Sequence, residues 1–444
     1  MVPTRLTRRG ALALAGGALT TGCLDAAPTS GDADRSGIGG TPDGSPAAPA
    51  DWPMLGHGPA HTGANPAHAG GEPTSRRRRA VDGPLTTPTV VGETAYVTRG
   101  APAGDGPQAT VEAYALGSGA RRWSLLLTRD GDPVRFTYAA PNSDRRPVYH
   151  GGRLYVAVDD RVAVVDPGGP ELRGTTESVE ALPLTEPPTV ADAGVFAGGP
   201  SGLAAFDHGG ALRWTLPRSP DEDSWQPALD RGARVAAVGD DAVYVSTGAA
   251  LRALDPADGT RLWLHEPDDP SATSVVLAGD ALVRAGFHGV EAVGRDGSRR
   301  WLAEWPGNAV VRPAVADGTV YVAGLTGHVA AYDLDGDGER LWHRSLPPER
   351  FAQGTVPAVS DGGLHVLRVD ADAGTVRVYG LNRDDGSTAW TTEHAGTRAR
   401  GVVPASGRYV FTTETTPPEQ RESSTVGAGQ DTTGRLWVST PPSA

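Results

Sequence analysis

Residues 319–342 read Thr319-Val-Tyr-Val-Ala-Gly-Leu-Thr-Gly-His-Val-Ala-Ala-Tyr332-Asp333-Leu-Asp335-Gly-Asp337-Gly338-Glu-Arg-Leu-Trp342. An alternating apolar stretch opens the phrase and a second one ends at Asp333. A Gly/Asp turn follows, and tryptophan comes four residues after the last glycine. Period-two alternation between Gly/Asp turns is the pattern of short antiparallel strands.

The same phrase recurs along the chain. Glycine precedes tryptophan by four residues in Gly119…Trp123, Gly210…Trp214, Gly259…Trp263, Gly297…Trp301, Gly338…Trp342 and Gly386…Trp390. The segment Val162-Ala-Val-Val-Asp166-Pro-Gly-Gly169-Pro-Glu-Leu-Arg173 repeats the phrase without its tryptophan. Upstream lie strands such as Thr94-Ala-Tyr96-Val97, Ala242-Val-Tyr244-Val245 and Thr319-Val-Tyr321-Val322, preceded by Pro-x-Val segments at Pro88, Pro188, Pro313 and Pro357. Counting the alternating strand gives eight units, with weaker ones at Gly194-Val-Phe196 and Ala281-Leu-Val283. Four short strands every 40–50 residues, with no stretch of helical period between them, predict an all-β, eight-bladed β-propeller of four-stranded antiparallel blades. The glycine supplies the positive φ of a tight turn. The fourth residue after it is then placed to enter the seam between blades, so Trp123, Trp214, Trp263, Trp301, Trp342 and Trp390 are read as seam residues.

The last unit is short. After Gly434-Arg-Leu-Trp437 too few residues remain for a fourth strand. Arg76-Arg-Arg-Arg79-Ala-Val81 stands before the first unit and can supply it, closing the ring with the two ends of the chain and removing an open sheet edge.

The chain has 444 residues, a formal charge of -13 and one cysteine, Cys23. The single cysteine excludes an intrachain disulfide framework and any zinc site built on cysteine pairs. None of the 40 basic residues is lysine, and Ile38 is the only isoleucine. This composition fits either a GC-rich genome or a halophile-type acidic surface. Glycine (60) and proline (38) are abundant, as the turns of a repeated sheet require.

The first fifty residues read as an address and a tether. Arg8-Arg9 stands before the apolar run Ala11–Leu19, which is too short to span a membrane and fits a twin-arginine export signal. Thr20-Thr21-Gly22-Cys23 resembles a lipoprotein box, with Cys23 lipidated after cleavage. Residues 1–22 are thus the signal and 23–50 a flexible linker poor in large apolar side chains. Residues 51–75 form a pre-blade segment and 76–444 the propeller. Loss of the signal removes Arg5, Arg8 and Arg9 and no acid, leaving a mature chain three units more negative than -13. The expected location is the outer face of the cytoplasmic membrane.

The phrase apolar-Tyr-Val … Ala-Leu-Asp255-x-x-x-Gly259-x-x-x-Trp263 resembles the repeat of the pyrroloquinoline-quinone (PQQ)-like propellers. These include quinoprotein alcohol dehydrogenases and non-enzymatic BamB-like assembly lipoproteins. The resemblance covers Asp51 to Val438, and the opening Asp51-Trp52-Pro-Met-Leu-Gly-His57-Gly-Pro-Ala-His61-Thr62-Gly63 is similar to the segment that precedes the first blade in this family. In its quinone-binding members the resemblance implies a vicinal cysteine pair over the cofactor, calcium held by Glu, Asn and Asp, and a catalytic aspartate. Cys23 cannot form that pair, and Asn142, Asn308 and Asn382 do not match the calcium motif. The fold is carried over and the chemistry is not.

Three further motifs have two readings each. Asp333-Leu-Asp335-Gly-Asp337 has the alternate oxygens of a calcium loop, but Arg344 stands where the closing glutamate would be, and an acidic hairpin turn explains it as well. Arg76 to Arg79 is either a solvated edge strand or an anion and lipid-headgroup patch. His57 and His61 have the spacing of a helical zinc pair, but glycine and proline surround them. An acidic, exported chain speaks against nucleic acid. The expectation is a monomeric, lipid-anchored propeller without cofactor, binding a protein or small ligand at its top face or channel. The alternatives are a PQQ- and calcium-dependent oxidoreductase and a polysaccharide-binding surface protein.

Overall fold

The computed structural model describes residues 29–32 and 47–441, apart from connections at 102–107, 135–144, 218–236, 247–249, 306–311, 348–356 and 417–431 and a few shorter breaks. The described residues are all-β and fall into eight sheets arranged as blades. In each blade strands a to d run from the hub to the rim. In blade 1 they are Thr89–Val91, Thr94–Ala101, Gln108–Ala115 and Arg121–Arg129. Blade 4 shows three strands and an inner bridge from Val238 to Val243. Alternation of direction puts the a–b and c–d turns on one face, the turn face. The b–c and d–a connections lie on the other, the loop face.

Blade 8 closes the ring. Its a, b and c strands are Arg398–Ala405, Arg408–Thr415 and Thr433–Thr440. Its rim strand is Ser75–Asp82, paired antiparallel from Ser75↔Thr440 to Asp82↔Thr433. Two blades carry additions. Ala64–Asn65 runs parallel to the inner strand of blade 7, and Thr29–Asp32 runs parallel to the rim strand of blade 1, with Thr29↔Leu125 and Asp32↔Thr128. Part of the stretch read as a flexible linker is therefore paired chain. Cys23, Arg8 and Arg9 lie outside the described residues.

There is no central core. Buried apolar side chains form clusters that straddle neighbouring blades, such as Tyr96, Trp123 and Leu125 with Leu154 and Val156 across the seam of blades 1 and 2. The tryptophans sit on the rim strands at these seams. Trp123, Trp214 and Trp263 pack against an aromatic residue of strand b in their own blade, in the pairs Tyr96–Trp123, Phe196–Trp214 and Tyr244–Trp263, all at 6.0 Å. The indole N–H then crosses the seam to a carbonyl in the next blade's c–d turn. Trp214 donates to Pro256 (3.1 Å), Trp263 to Arg295 (2.6 Å), Trp301 to Leu334 (3.0 Å) and Trp342 to Arg383 (2.7 Å). Trp123 donates to Pro167 in the blade whose phrase lacks tryptophan. Burial of one indole contributes at most about 4–6 kcal/mol per seam.

The turn glycine has a second role. At Gly338, with φ +73°, an added Cβ would lie 2.5 Å from the Trp301 ring; at Gly259 it would lie 2.7 Å from Trp214. The glycine both makes its own turn and admits the preceding blade's tryptophan. Trp123 and Trp390 are the exceptions, with no turn glycine against either ring. The c and d strands of blade 8 come from opposite ends of the chain, so no continuous c–d turn connects them. Trp390 packs instead against His365 and Tyr409.

Gly119 in blade 1 has the same positive φ (+72°) and no atom within 4 Å of its virtual Cβ. Gly119→Ala should therefore cost only the backbone strain of about 1–2 kcal/mol. Gly338→Ala should cost about 1–3 kcal/mol more through overpacking against Trp301. Denaturant melts of the two variants check this, and equal losses would contradict the second role.

Candidate functional site

The turn-face end of the hub is closed by the chain itself. Each innermost strand presents an unpaired edge to the axis, and residues 50–65 pass round the hub and satisfy these edges in turn. Trp52 and Val90 exchange two backbone hydrogen bonds in blade 1. The carbonyl of Pro53 accepts from Tyr149 in blade 2, Pro59 from Val238 in blade 4 and Ala60 from Leu277 in blade 5. Thr62 accepts from Val315 in blade 6 and Gly63 from Val359 in blade 7. In blade 3 the His61 ring meets the Thr189 hydroxyl at 3.0 Å, and Met54 joins the apolar cluster of Val190. One segment thus touches the inner strand of every blade.

Its ends are clasped together at blade 8. The Asn65 side-chain amide, fully buried, reaches the carbonyls of Ala50 (3.3 Å), Asp51 (3.3 Å) and Pro404 (2.9 Å). The Asp51 carboxylate accepts from the amide N–H of Gly92 (2.7 Å) and of Ala48 (2.8 Å). The tight course needs left-handed backbone at Gly56, His57, His61 and Gly63, with φ between 59° and 78°. The plug then runs outward, where Tyr409 donates to the Gly71 carbonyl and Thr74 pairs with Thr440, and continues into the rim strand of blade 8.

His57 and His61 are not a metal pair in this arrangement. Both have positive φ, so no helix aligns them. His57 packs edge-on to Trp52 at 5.3 Å, whereas His61 points to Thr189. Burial holds the His61 imidazole neutral well below its ordinary range, helped by the nearby guanidiniums of Arg312 and Arg146. Both arginines are buried, which places positive charge near the hub of an acidic molecule.

Two buried carboxylates occupy matching places in blades 1 and 5. Glu112 meets Arg99 (2.9 Å), Arg121 (3.2 Å) and the Tyr114 hydroxyl. Glu291 meets Arg284 (3.2 Å), Arg299 (2.9 Å) and His265 (2.9 Å). Each lies on strand c, two residues before the one opposite the rim arginine. The arginines come from strands b and d of the same blade, and His265 reaches Glu291 across the seam from the rim strand of blade 4.

A family model described as outer membrane protein assembly factor BamB matches residues 107–285 and 248–393, more than half of the chain. The chain belongs to this BamB family. The BamB of Escherichia coli K12 is 38% identical over 88 residues, 19% of this chain and 22% of that protein. The BamB of Salmonella typhimurium LT2 is 32% identical over 99 residues, 22% and 25% of the two chains. The chain thus matches a quarter or less of the length of these curated relatives. BamB from Moraxella catarrhalis superposes with a TM-score of 0.54 at 15% identity, over 83% of this chain and 99% of that one. The quinohaemoprotein alcohol dehydrogenase of Comamonas testosteroni gives 0.61 at 15% identity, over 88% and 81%. At such identities these two structures speak for the fold alone.

The quinoprotein neighbours raise the question of a quinone and calcium site. Among the described residues no group of three or more His, Cys, Asp or Glu side chains converges to hold a metal ion. Asn65 is committed to the plug, and Asn382 to a c–d turn, where it bonds Ser387 at 2.7 Å. Asp333, Asp335 and Asp337 lie in the c–d turn of blade 6, where Asp333 accepts from the Asp335 amide at 3.0 Å and shapes the turn above Trp301.

The sequence reading missed Asn65 and the two buried carboxylates. The only signal for Asn65 was its position two residues after Gly63, at the end of the His/Gly/Pro-rich segment.

Two predictions follow from this geometry. Asn65→Ala should cost about 1–3 kcal/mol by opening the clasp. Asn65→Asp should cost more, since it sets a carboxylate against three carbonyl oxygens; thermal melts of the two variants check the order. Buried His365 is held neutral down to about 3 by burial, and His68 and His394 down to about 4, against an ordinary 6.5. Below pH 6.5 the unfolded chain binds protons that the folded chain refuses, so stability falls as pH drops from about 6.5 towards 3–4. Each such histidine contributes about 2 kcal/mol of this loss by pH 5. His365→Gln should therefore flatten the difference between denaturant midpoints measured at pH 7 and pH 5.

Proposed function

We propose that the chain is an exported BamB-type propeller, tethered through lipid on Cys23 to the outer face of the cytoplasmic membrane. There it holds a protein partner on its loop face and catalyses no reaction. The observation that carries this reading is the asymmetry of the hub. The plug fills its turn-face end and bonds to the inner strands around the whole ring, so that end is committed to structure. The longest connections, including residues 218–236, 348–356 and 417–431, all join strand ends on the opposite face. Loops carried on a rigid scaffold are where binding residues gather. Family membership supports assembly or binding rather than catalysis, and the single cysteine cannot supply the vicinal pair of the quinone-binding members.

The test is crosslinking from intact membranes. Replacing residues 219–235 by a Gly/Ser linker of equal length should leave the melting temperature unchanged and remove a crosslinked partner. An unaltered crosslink pattern would count against the loop face. Alcohol-dependent dye reduction on addition of quinone and calcium would instead establish the dehydrogenase reading. Arg8→Lys with Arg9→Lys should trap precursor in the cell, and Cys23→Ser should release the domain from the membrane.

A further inference from the structure

We propose that the rim of blades 8 and 1 rests on an anionic phospholipid surface, with Arg76, Arg77 and Arg78 as its contact. The tether part of the argument rests on the reading of Cys23 as the lipid-bearing residue; the charge part does not.

The rim strand of blade 8, Ser75–Asp82, is paired along one edge only among the described residues, and Arg76, Arg77 and Arg78 are exposed on it. They project to both sides. Arg76 donates to the Glu393 carbonyl and Arg78 lies 5.9 Å over the Trp437 ring, both towards blade 7. Arg77, opposite Val438, is directed towards blade 1. A planar guanidinium bonds phosphate oxygens in pairs, and three in succession match a layer of phosphodiester headgroups better than a single small anion.

The second observation is independent of charge. Thr29–Asp32 is fixed along the rim strand of blade 1, which adjoins blade 8 through the shared apolar cluster and the Arg408–Glu93 pair at 2.8 Å. Its parallel direction sets Thr29 towards the turn face, the end at which Ser75 and Arg76 also stand. Five residues lie between Cys23 and Thr29, so six chain steps give a reach of at most about 20 Å. A lipid on Cys23 would therefore enter the membrane beside these arginines.

The turn face itself is unsuited to an anionic surface. Its turns carry Asp258, Asp296, Asp335, Asp337 and Asp385, all of them exposed. Repulsion of these carboxylates and attraction of the arginines together stand the propeller on edge. The loop face then looks sideways along the membrane, open to a partner.

The test uses the full Cys23→Ser chain, which carries no lipid, and vesicles of phosphatidylcholine with or without phosphatidylglycerol at ~0.1 M salt, where the screening length is about 10 Å. Binding is expected to the anionic vesicles and not to the neutral ones. Each arginine near such a surface is worth roughly five-fold. The triple variant Arg76→Gln, Arg77→Gln, Arg78→Gln should therefore bind roughly a hundred-fold more weakly. Arg261→Gln, an exposed arginine of blade 4 on the far side of the ring, should bind as the parent does. Should the triple variant melt lower than its parent, Arg77→Gln alone gives the readout, with a roughly five-fold loss. No binding by the parent, equal binding by parent and arginine variants, or an equal loss with Arg261→Gln would each overturn the proposal. Because every chain lacks the lipid, none of these results touches the reading of Cys23, which cell fractionation tests separately.

Discussion

The docking of Trp214, Trp263, Trp301 and Trp342 beneath the next blade's turn glycine is the interaction on which the ring depends. A blade alone is a twisted four-stranded sheet that buries little on either face. Its stability comes from its neighbours, and the indole is the largest apolar group committed to a seam. The ring supplies area, its N–H fixes the angle by bonding one carbonyl of the adjacent turn, and the glycine leaves room for both. Because Trp301 sits against Gly338 and Trp263 against Gly297, the same geometry is passed round the ring.

A ring of such contacts has two weak points, its closing seam and its hub. At the closing seam no continuous c–d turn links Thr440 to Ser75, and Trp390 finds no turn glycine. Eight backbone-paired positions between Ser75–Asp82 and Thr433–Thr440 hold it instead, with Arg99, paired to buried Glu112, donating to the Asp82 carbonyl at 2.9 Å. At the hub, the inner strands leave unpaired N–H and C=O groups that water or another chain would otherwise occupy. The plug answers this with its own backbone, and Asn65 locks it by joining the beginning of the loop to its end. The turn-face end of the hub is thus spent on structure, and the longer connections join strand ends on the loop face.

Legibility in the sequence followed the range of the interaction. The strand pattern, the turn glycines and the tryptophan spacing are local and repeated several times, so each copy supports the others. The closing strand was legible because the last unit was one strand short. The plug was visible only as an opening segment. Its contacts join residues 50–65 to strands spread from Val90 to Pro404, and nothing in a run of His, Gly and Pro states those partners. The Asp333-Leu-Asp335-Gly-Asp337 run has two readings in the sequence, because both a cation site and a tight turn use alternate carboxylates. In the fold the Asp333 carboxylate accepts from the Asp335 amide in the turn above Trp301.

The sequence by itself determined the all-β class, the eight repeats, the closing strand and the identity of the seam tryptophans, because these rest on local periodicity and on a phrase that recurs. Tertiary structure alone decided what the repeats surround. It made a lone asparagine the clasp of the hub and paired buried Glu112 and Glu291 with arginines across strands. It also gave the turn glycines their second role, which belongs to the preceding blade. Those facts depend on distances between residues far apart in the chain, and a linear pattern carries no term for them.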